Sequence, residues 1–259
     1  MRPSRINDEN QFREIAEIEF ISLFGRARDT NELQFLLALC PEFRGLRNPG
    51  WNSAAESRIA FGDYLAFLND GELTRFKVRV ALSFYCHLSE AAGFYETPMN
   101  LLRIVTGQNH HLWPFQSLVR HRKVGGGLVA PNASKTFRAM AECAIQASMP
   151  DLATVFRDAV DPMIRNGYAH ADYVVCDDEI RFPNRNGGTP CRMSYPEFHQ
   201  AMERLIYFYE LIGRIADEHL RVYTTERQIG GYWGDGRRSH CTARYDLASA
   251  SLSIRDDGP

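Results

Sequence analysis

Lysine is nearly missing from this chain. Only Lys77, Lys123 and Lys135 occur among 259 residues, against 27 arginines. Arginine grips phosphate bidentately where lysine acts as a point charge. The bias therefore suits an RNA-handling surface, or it reflects nothing more than GC-rich coding. An excess of charge of one sign is missing too. Basic and acidic side chains number 30 and 32, so net charge alone predicts no polyanionic partner.

Paired cysteines are lacking. Cys40, Cys86, Cys143, Cys176, Cys191 and Cys241 include no C-x-x-C, and a chain long enough to bury a full core needs no disulfide framework. They read as reduced thiols of a cytoplasmic protein. No apolar segment follows the basic residues of the N-terminus. No run approaches the roughly 18 apolar residues of a membrane span. Gly125 to Gly127 is not followed by Lys-Ser/Thr, which excludes a P-loop. No nucleophile elbow supports serine-hydrolase chemistry. His110 and His111 lack a second pair at ligand spacing, so neither a metal nor another cofactor is expected.

What the chain does have is helical spacing. Phe12, Ile15, Ile18, Ile21 and Phe20 with Phe24 predict a helix over about 8–24, and Leu33, Leu36 and Leu37 one over 31–39. After the breaker at 44–50, Ser53 and Glu56 stand at capping-box spacing before a helix to about 68. A long helix is expected over 72–92, with Thr97-Pro98 opening a further turn to 105. Residues 106–133 read as irregular. Helices are expected again at 135–147 and 151–165. Tyr173 to Phe182 reads as a small β-hairpin around an Asp-Asp turn. Ser194 and Glu197 form a second capping box, opening a helix to about 220. In that helix Phe198, Met202, Leu205, Tyr209, Ile212 and Ala216 form a heptad-like seam that packs internally or against a second subunit. Residues 222–259, rich in glycine and arginine, read as a tail draped on the domain. The expected fold is all-α: a helical bundle with a β-hairpin inserted before its last long helix. Its parts are an N-terminal helical extension (1–71), a main helical domain (72–221) and a C-terminal tail (222–259).

The chemistry concentrates between Asp161 and Tyr173. A continuous helix would put Arg165 and His170 on different faces, since five residues advance roughly 500°. A turn at Asn166-Gly167 would let the imidazole fold back toward the guanidinium. The notch so made would hold one fixed charge and one group titrating near neutrality, which suits a phosphodiester. Alternatively, Arg165 pairs with Asp161 or Asp172 and His170 plugs a helix end.

Arg165-Asn166-x-x-x-His170, followed by Ala171-Asp172-Tyr173 and a hairpin, resembles the R-x4-6-H signature of HEPN domains. Leu82 to Glu90 and Asn100 to Arg103 are similar to the helix that packs against the motif in bacterial stand-alone members. The resemblance covers roughly residues 72–221. It implies metal-independent cleavage of RNA in a composite cleft made by a homodimer. His170 would then assist the 2′-hydroxyl and Arg165 would stabilise the phosphorane charge. Asn166 would support the motif, and the products would carry 2′,3′-cyclic phosphate. A toxin or defence role with a cognate antitoxin is a further implication. In the branch regulated by adenylylation, a tyrosine stands two residues after the motif histidine. Tyr173 stands three after His170, so that mechanism does not carry over. Other members of the family lack nuclease activity and bind nucleic acid or protein instead.

From Arg103 to Ala141 there are six basic residues, Arg103, Arg120, Arg122, Lys123, Lys135 and Arg138, and no carboxylate. His110, His111, Trp113, Phe115 and His121 are interleaved with them. The segment reads either as a single-stranded RNA contact, the aromatics stacking on bases, or as a loop whose Trp113 and Phe115 plug the core. His87 and Glu90 share a helix face. They either line the cleft opposite the motif, Glu90 orienting His170 or a water, or satisfy each other.

Overall fold

A computed structural model describes residue 6 and residues 8–40, 53–121, 126–183 and 188–257. Caps set where the helices begin. Asp8 accepts from the Asn10 N–H before α1 (Glu9–Thr30), and Asn31 from Gln34 before α2 (Glu32–Leu39). α3 spans Ser53–Asn69. Thr74 caps α4 (Arg75–Ser89) by accepting from the Lys77 N–H. The long helix expected over 72–92 is thus two elements, α4 and α5 (Ala92–Val105), and α5 carries Pro98 in its interior. Thr97 does not cap a helix; its hydroxyl donates to the Ala38 carbonyl on α2. Arg120–His121 (β1) and Leu128–Val129 (β2) pair within the stretch expected to be irregular. Asn132 caps α6 (Ala133–Gln146), and α7 is Pro150–Asp158.

α8 (Pro162–Ala169) opens at Asp161, whose side chain accepts from Met163 and whose N–H donates to the Tyr85 hydroxyl on α4. The hairpin forms as β3 (Val174–Val175) and β4 (Glu179–Phe182), and β5 (Cys191–Ser194) adds a third antiparallel strand. The Ser194/Glu197 capping box is formed and starts α9 (Tyr195–Arg221).

The all-α expectation is corrected at the C-terminus. Residues read as a tail make β6 (Arg227–Tyr232), β7 (Arg238–Asp246) and β8 (Ser251–Asp256), a three-stranded antiparallel sheet. Helical turns hold 59% of the described residues and strands 15%, so the fold is mixed helix and sheet. The reason lies in the side chains that face inward. On β7 the inward residues Ser239, Cys241 and Ala243 are small and buried, so the central strand alternates without the aliphatic residues that usually mark one. β6 in turn packs closely against α2. A Cβ on Gly231 would stand 2.4 Å from the Asn31 Oδ1 and 2.7 Å from the Leu33 Cβ.

Phenylalanines occupy the centre of the core. Phe20 on α1 meets Phe156 and Phe208 edge-on, at ring centroid distances of 5.8 and 5.5 Å. α1 buries Phe12, Ala16, Phe20, Leu23, Phe24 and Ala27, an i, i+4 stripe, and leaves Ile18 and Ile21 exposed. The six seam residues of α9 are all buried in this chain's own core.

Candidate functional site

The turn expected at Gly167 does not occur there. α8 runs through it as helix, which puts Arg165 and His170 on different faces. Gly167 serves packing instead: a Cβ there would come within 2.4 Å of the Phe182 Cδ1. Only glycine lets β4 lie this close to the helix.

The chain turns three residues later. The Asp172 N–H donates to Gly167 (2.8 Å) and the Ala171 N–H to Tyr168 (3.0 Å), the paired bonds of a Schellman ending. Ala171 holds the left-handed position at φ 51°, which glycine usually takes. His170 is the C-cap residue and is exposed. Its imidazole has no side-chain partner among the described residues. Two backbone bonds and a tight turn therefore present it to solvent at a set position. Tyr173 stacks on Tyr168 with centroids 5.9 Å apart, so its ring braces α8. Asp172 is half-buried.

Arg165 points the other way, toward α4, and pairs with neither Asp161 nor Asp172. Its Nε donates to the Glu90 carboxylate, and its Nη1 donates to the Asn166 Oδ1 (2.8 Å). Glu90 also accepts the Ala133 N–H at the start of α6 (3.1 Å). One carboxylate thus ties together the end of α4, the middle of α8 and the start of α6. Arg165 is 15% exposed and Glu90 29%, so the guanidinium is held in place while still reaching the surface. Nη2 has no hydrogen-bond partner among the described residues. Burial pushes the Cys86 thiol up, with Arg165 beside it pulling the other way.

His87 is not at this site. Its ring stands 5.9 Å from that of Tyr64 on α3, and its Nε2 is buried with no partner among the described residues. Glu90 serves Arg165 rather than His170.

Phe115 and Trp113 divide the two readings of the basic segment between them. Phe115 is 5% exposed and plugs the core, whereas Trp113 is 56% exposed. Trp113 edges an open cleft of about 750 Å³ that Phe115, Val119, His121 and Leu128 also line. Arg120 and Arg138 are exposed, and Arg103 and Lys135 half-buried. Arg122 and Lys123 lie outside the described residues. Among the described residues no three His, Cys, Asp or Glu side chains cluster as a metal site requires. No described helix is long and apolar enough to cross a membrane.

Sequence reasoning did not anticipate the pairing of Glu90 with Arg165. The signal was available only as an acid one turn after Cys86 on a helix facing α8. Comparison of the chain with protein-family models, with curated proteins and with solved structures gives no match.

Proposed function

We propose that this protein is a metal-independent endoribonuclease of HEPN type, acting as a homodimer. The observation that carries the reading is an exposed imidazole, His170, with no side-chain partner among the described residues, at the end of the helix whose Arg165 is aimed by Glu90 and Asn166. His170 takes the proton of a ribose 2′-hydroxyl. The 2′-oxygen attacks the adjacent phosphorus, the P–O5′ bond breaks, and the departing 5′-oxygen gains a proton. Arg165, with Nη2 open, stabilises the charge gathering on the phosphoryl oxygens. Within one chain the two side chains lie on different faces of α8, which suits a cleft completed by a second copy. DNA lacks the internal nucleophile and is not cut.

The test is cleavage of end-labelled single-stranded RNA in EDTA by the protein and by its His170→Ala variant. Fragments ending in 2′,3′-cyclic phosphate from the unsubstituted protein alone are expected. Equal cleavage by both would remove His170 from the mechanism.

A second reading rests on the Arg165–Glu90 ion pair, which already answers the arginine's charge. In it the chain binds nucleic acid or a protein partner without cutting. RNA retention on filters that weakens steeply with salt, with no cleavage products, would favour it.

A further inference from the structure

The C-terminal sheet has two faces of opposite character. Residues directly paired in an antiparallel ladder point to the same side, and successive residues alternate. Ile229, Cys241 and Ala243 go into the core. The pairs Tyr232↔Arg238, Gly230↔His240 and Gln228↔Thr242, with Thr242↔Arg255 and Arg244↔Ser253, therefore make the outer face. Arg238, His240, Arg244 and Arg255 are all exposed there, and Tyr232 at the corner is 50% exposed. Opposite His240, Gly230 leaves bare backbone; a Cβ there would meet nothing within 4 Å.

The acids on this side are already engaged. Asp257 accepts from Thr242 Oγ1 (2.6 Å) and Arg255 Nε (3.1 Å). Asp246 accepts the N–H groups of Ala248 and Ser249 in the β7–β8 turn. Arg238 and Arg244 form no ion pair among the described residues. The tip of the β6–β7 hairpin is tied to a further segment. The Asn109 Nδ2 donates to the Gly234 carbonyl at the tip of the β6–β7 hairpin (3.3 Å), and the Arg103 Nε donates to the Asn109 carbonyl (3.2 Å). The hairpin is thereby joined to the acid-free segment that starts at Arg103.

We infer that this outer face binds the backbone of single-stranded RNA. Arg238 and Arg244 would take phosphates and Tyr232 would stack on a base. The choice of RNA as occupant rests on the nuclease reading above. The occupant's charge and flatness rest on the face itself. It has no aliphatic side chain to offer a protein partner or a lipid, because its remaining members are serine, threonine, glutamine, glycine and the engaged carboxylates of Asp246 and Asp257, and a protein interface needs an apolar centre. Arg238 and Arg244 stand six residues apart on β7, roughly 20 Å at about 3.4 Å per residue, so one extended polyanion can lie across both.

The test is fluorescence anisotropy with a fluorescein-labelled 12-nucleotide 2′-O-methyl oligouridylate, which lacks the attacking hydroxyl and stays intact whether or not the protein is a nuclease. Binding is measured between 50 and 200 mM NaCl for the unsubstituted protein, Arg238→Ala/Arg244→Ala, Arg238→Lys/Arg244→Lys and Tyr232→Ala. The double alanine variant is expected to bind about tenfold or more weakly at 50 mM. Its salt slope should fall by about 1.4, two phosphate contacts at about 0.7 each. The lysine variant should stay within about threefold of the unsubstituted protein, and Tyr232→Ala should lose about tenfold. Undiminished binding by the double alanine variant would overturn the assignment. So would no binding by the unsubstituted protein at 50 mM, with or without retention on phosphatidylserine vesicles. A protein that binds this probe through the face yet cuts no RNA would keep the surface and lose the nuclease.

Discussion

Glu90 and Arg165 form an ion pair that pins α8 to the end of α4, and the same carboxylate accepts the first N–H of α6. Both side chains keep some contact with solvent. The pair is thus worth less than the roughly 3–5 kcal/mol lost when a fully buried pair is broken. Arg165→Ala and Glu90→Ala should each cost about 1–3 kcal/mol in urea unfolding. The double variant should cost less than the sum of the two, because they share one interaction. An Arg165→Ala protein that does not fold would make the arginine a structural element and remove the reason to place it in catalysis.

Gly167 and Gly213 are both helical glycines, and their alanine variants should move stability in opposite directions. At Gly167 the new Cβ meets the ring of buried Phe182, and overpacking of this kind costs about 1–3 kcal/mol. At Gly213 on α9 it meets nothing within 4 Å, so the helix gains about 0.5–1 kcal/mol. Thermal melts of the two variants read this directly. A stabilised Gly167→Ala would mean that β4 does not lie against α8.

Tyr223 and Tyr209 are both buried, and the Tyr223 hydroxyl has a partner, Glu32 Oε1 at 2.6 Å. Burial, and then this bond, push the Tyr223 hydroxyl well above its ordinary value. Tyr223→Phe should cost about 1.5–3 kcal/mol, as for a bond to a charged acceptor. The Tyr209 hydroxyl is buried with no partner among the described residues, and burial pushes it up to about 12. Tyr209→Phe should therefore be neutral or stabilising by up to about 1 kcal/mol. Equilibrium unfolding in urea compares the two.

His219 lies between Phe24, stacked at 5.5 Å, and Phe35, edge-on at 5.2 Å. Burial, and then the charge of Arg28, hold its pKa below the ordinary 6.5, with Glu218 opposing. The unfolded chain thus takes up this proton at a higher pH than the folded protein does. Stability should be unaffected above that ordinary value. It should fall as pH drops below it, and level off below the folded pKa. Melting temperatures from pH 8 to 5 should show the fall, and His219→Gln should flatten that part of the profile. An unchanged profile in the variant would assign the acid sensitivity to other groups.

The helices were legible because their signals are local. Apolar residues recur at helical spacing in α1, α6 and α9, and Asp8, Ser194 and Glu197 cap within three residues of their targets. The R-N-x-x-x-H run was legible for the same reason, and α8 does end at His170. Ile18 and Ile21 misled, since spacing alone does not say which side of α1 the core takes. Gly167 misled as well. A glycine permits a turn, but here it was needed for the approach of Phe182, fifteen positions on.

By itself, then, the sequence determined where most of the helical chain lies, though not where α4 gives way to α5 or α7 to α8, and that an arginine and a histidine stand five residues apart near a helix end. Tertiary structure alone decided that Arg165 is answered by Glu90, 75 residues away, while His170 is left to solvent. It also decided that the final 38 residues include a sheet with a basic outer face. The physical reason is the same in each case. Ion pairs and strand ladders join positions far apart in the chain, and small inward side chains such as Ser239, Cys241 and Ala243 carry little pattern until the sheet folds them into the core.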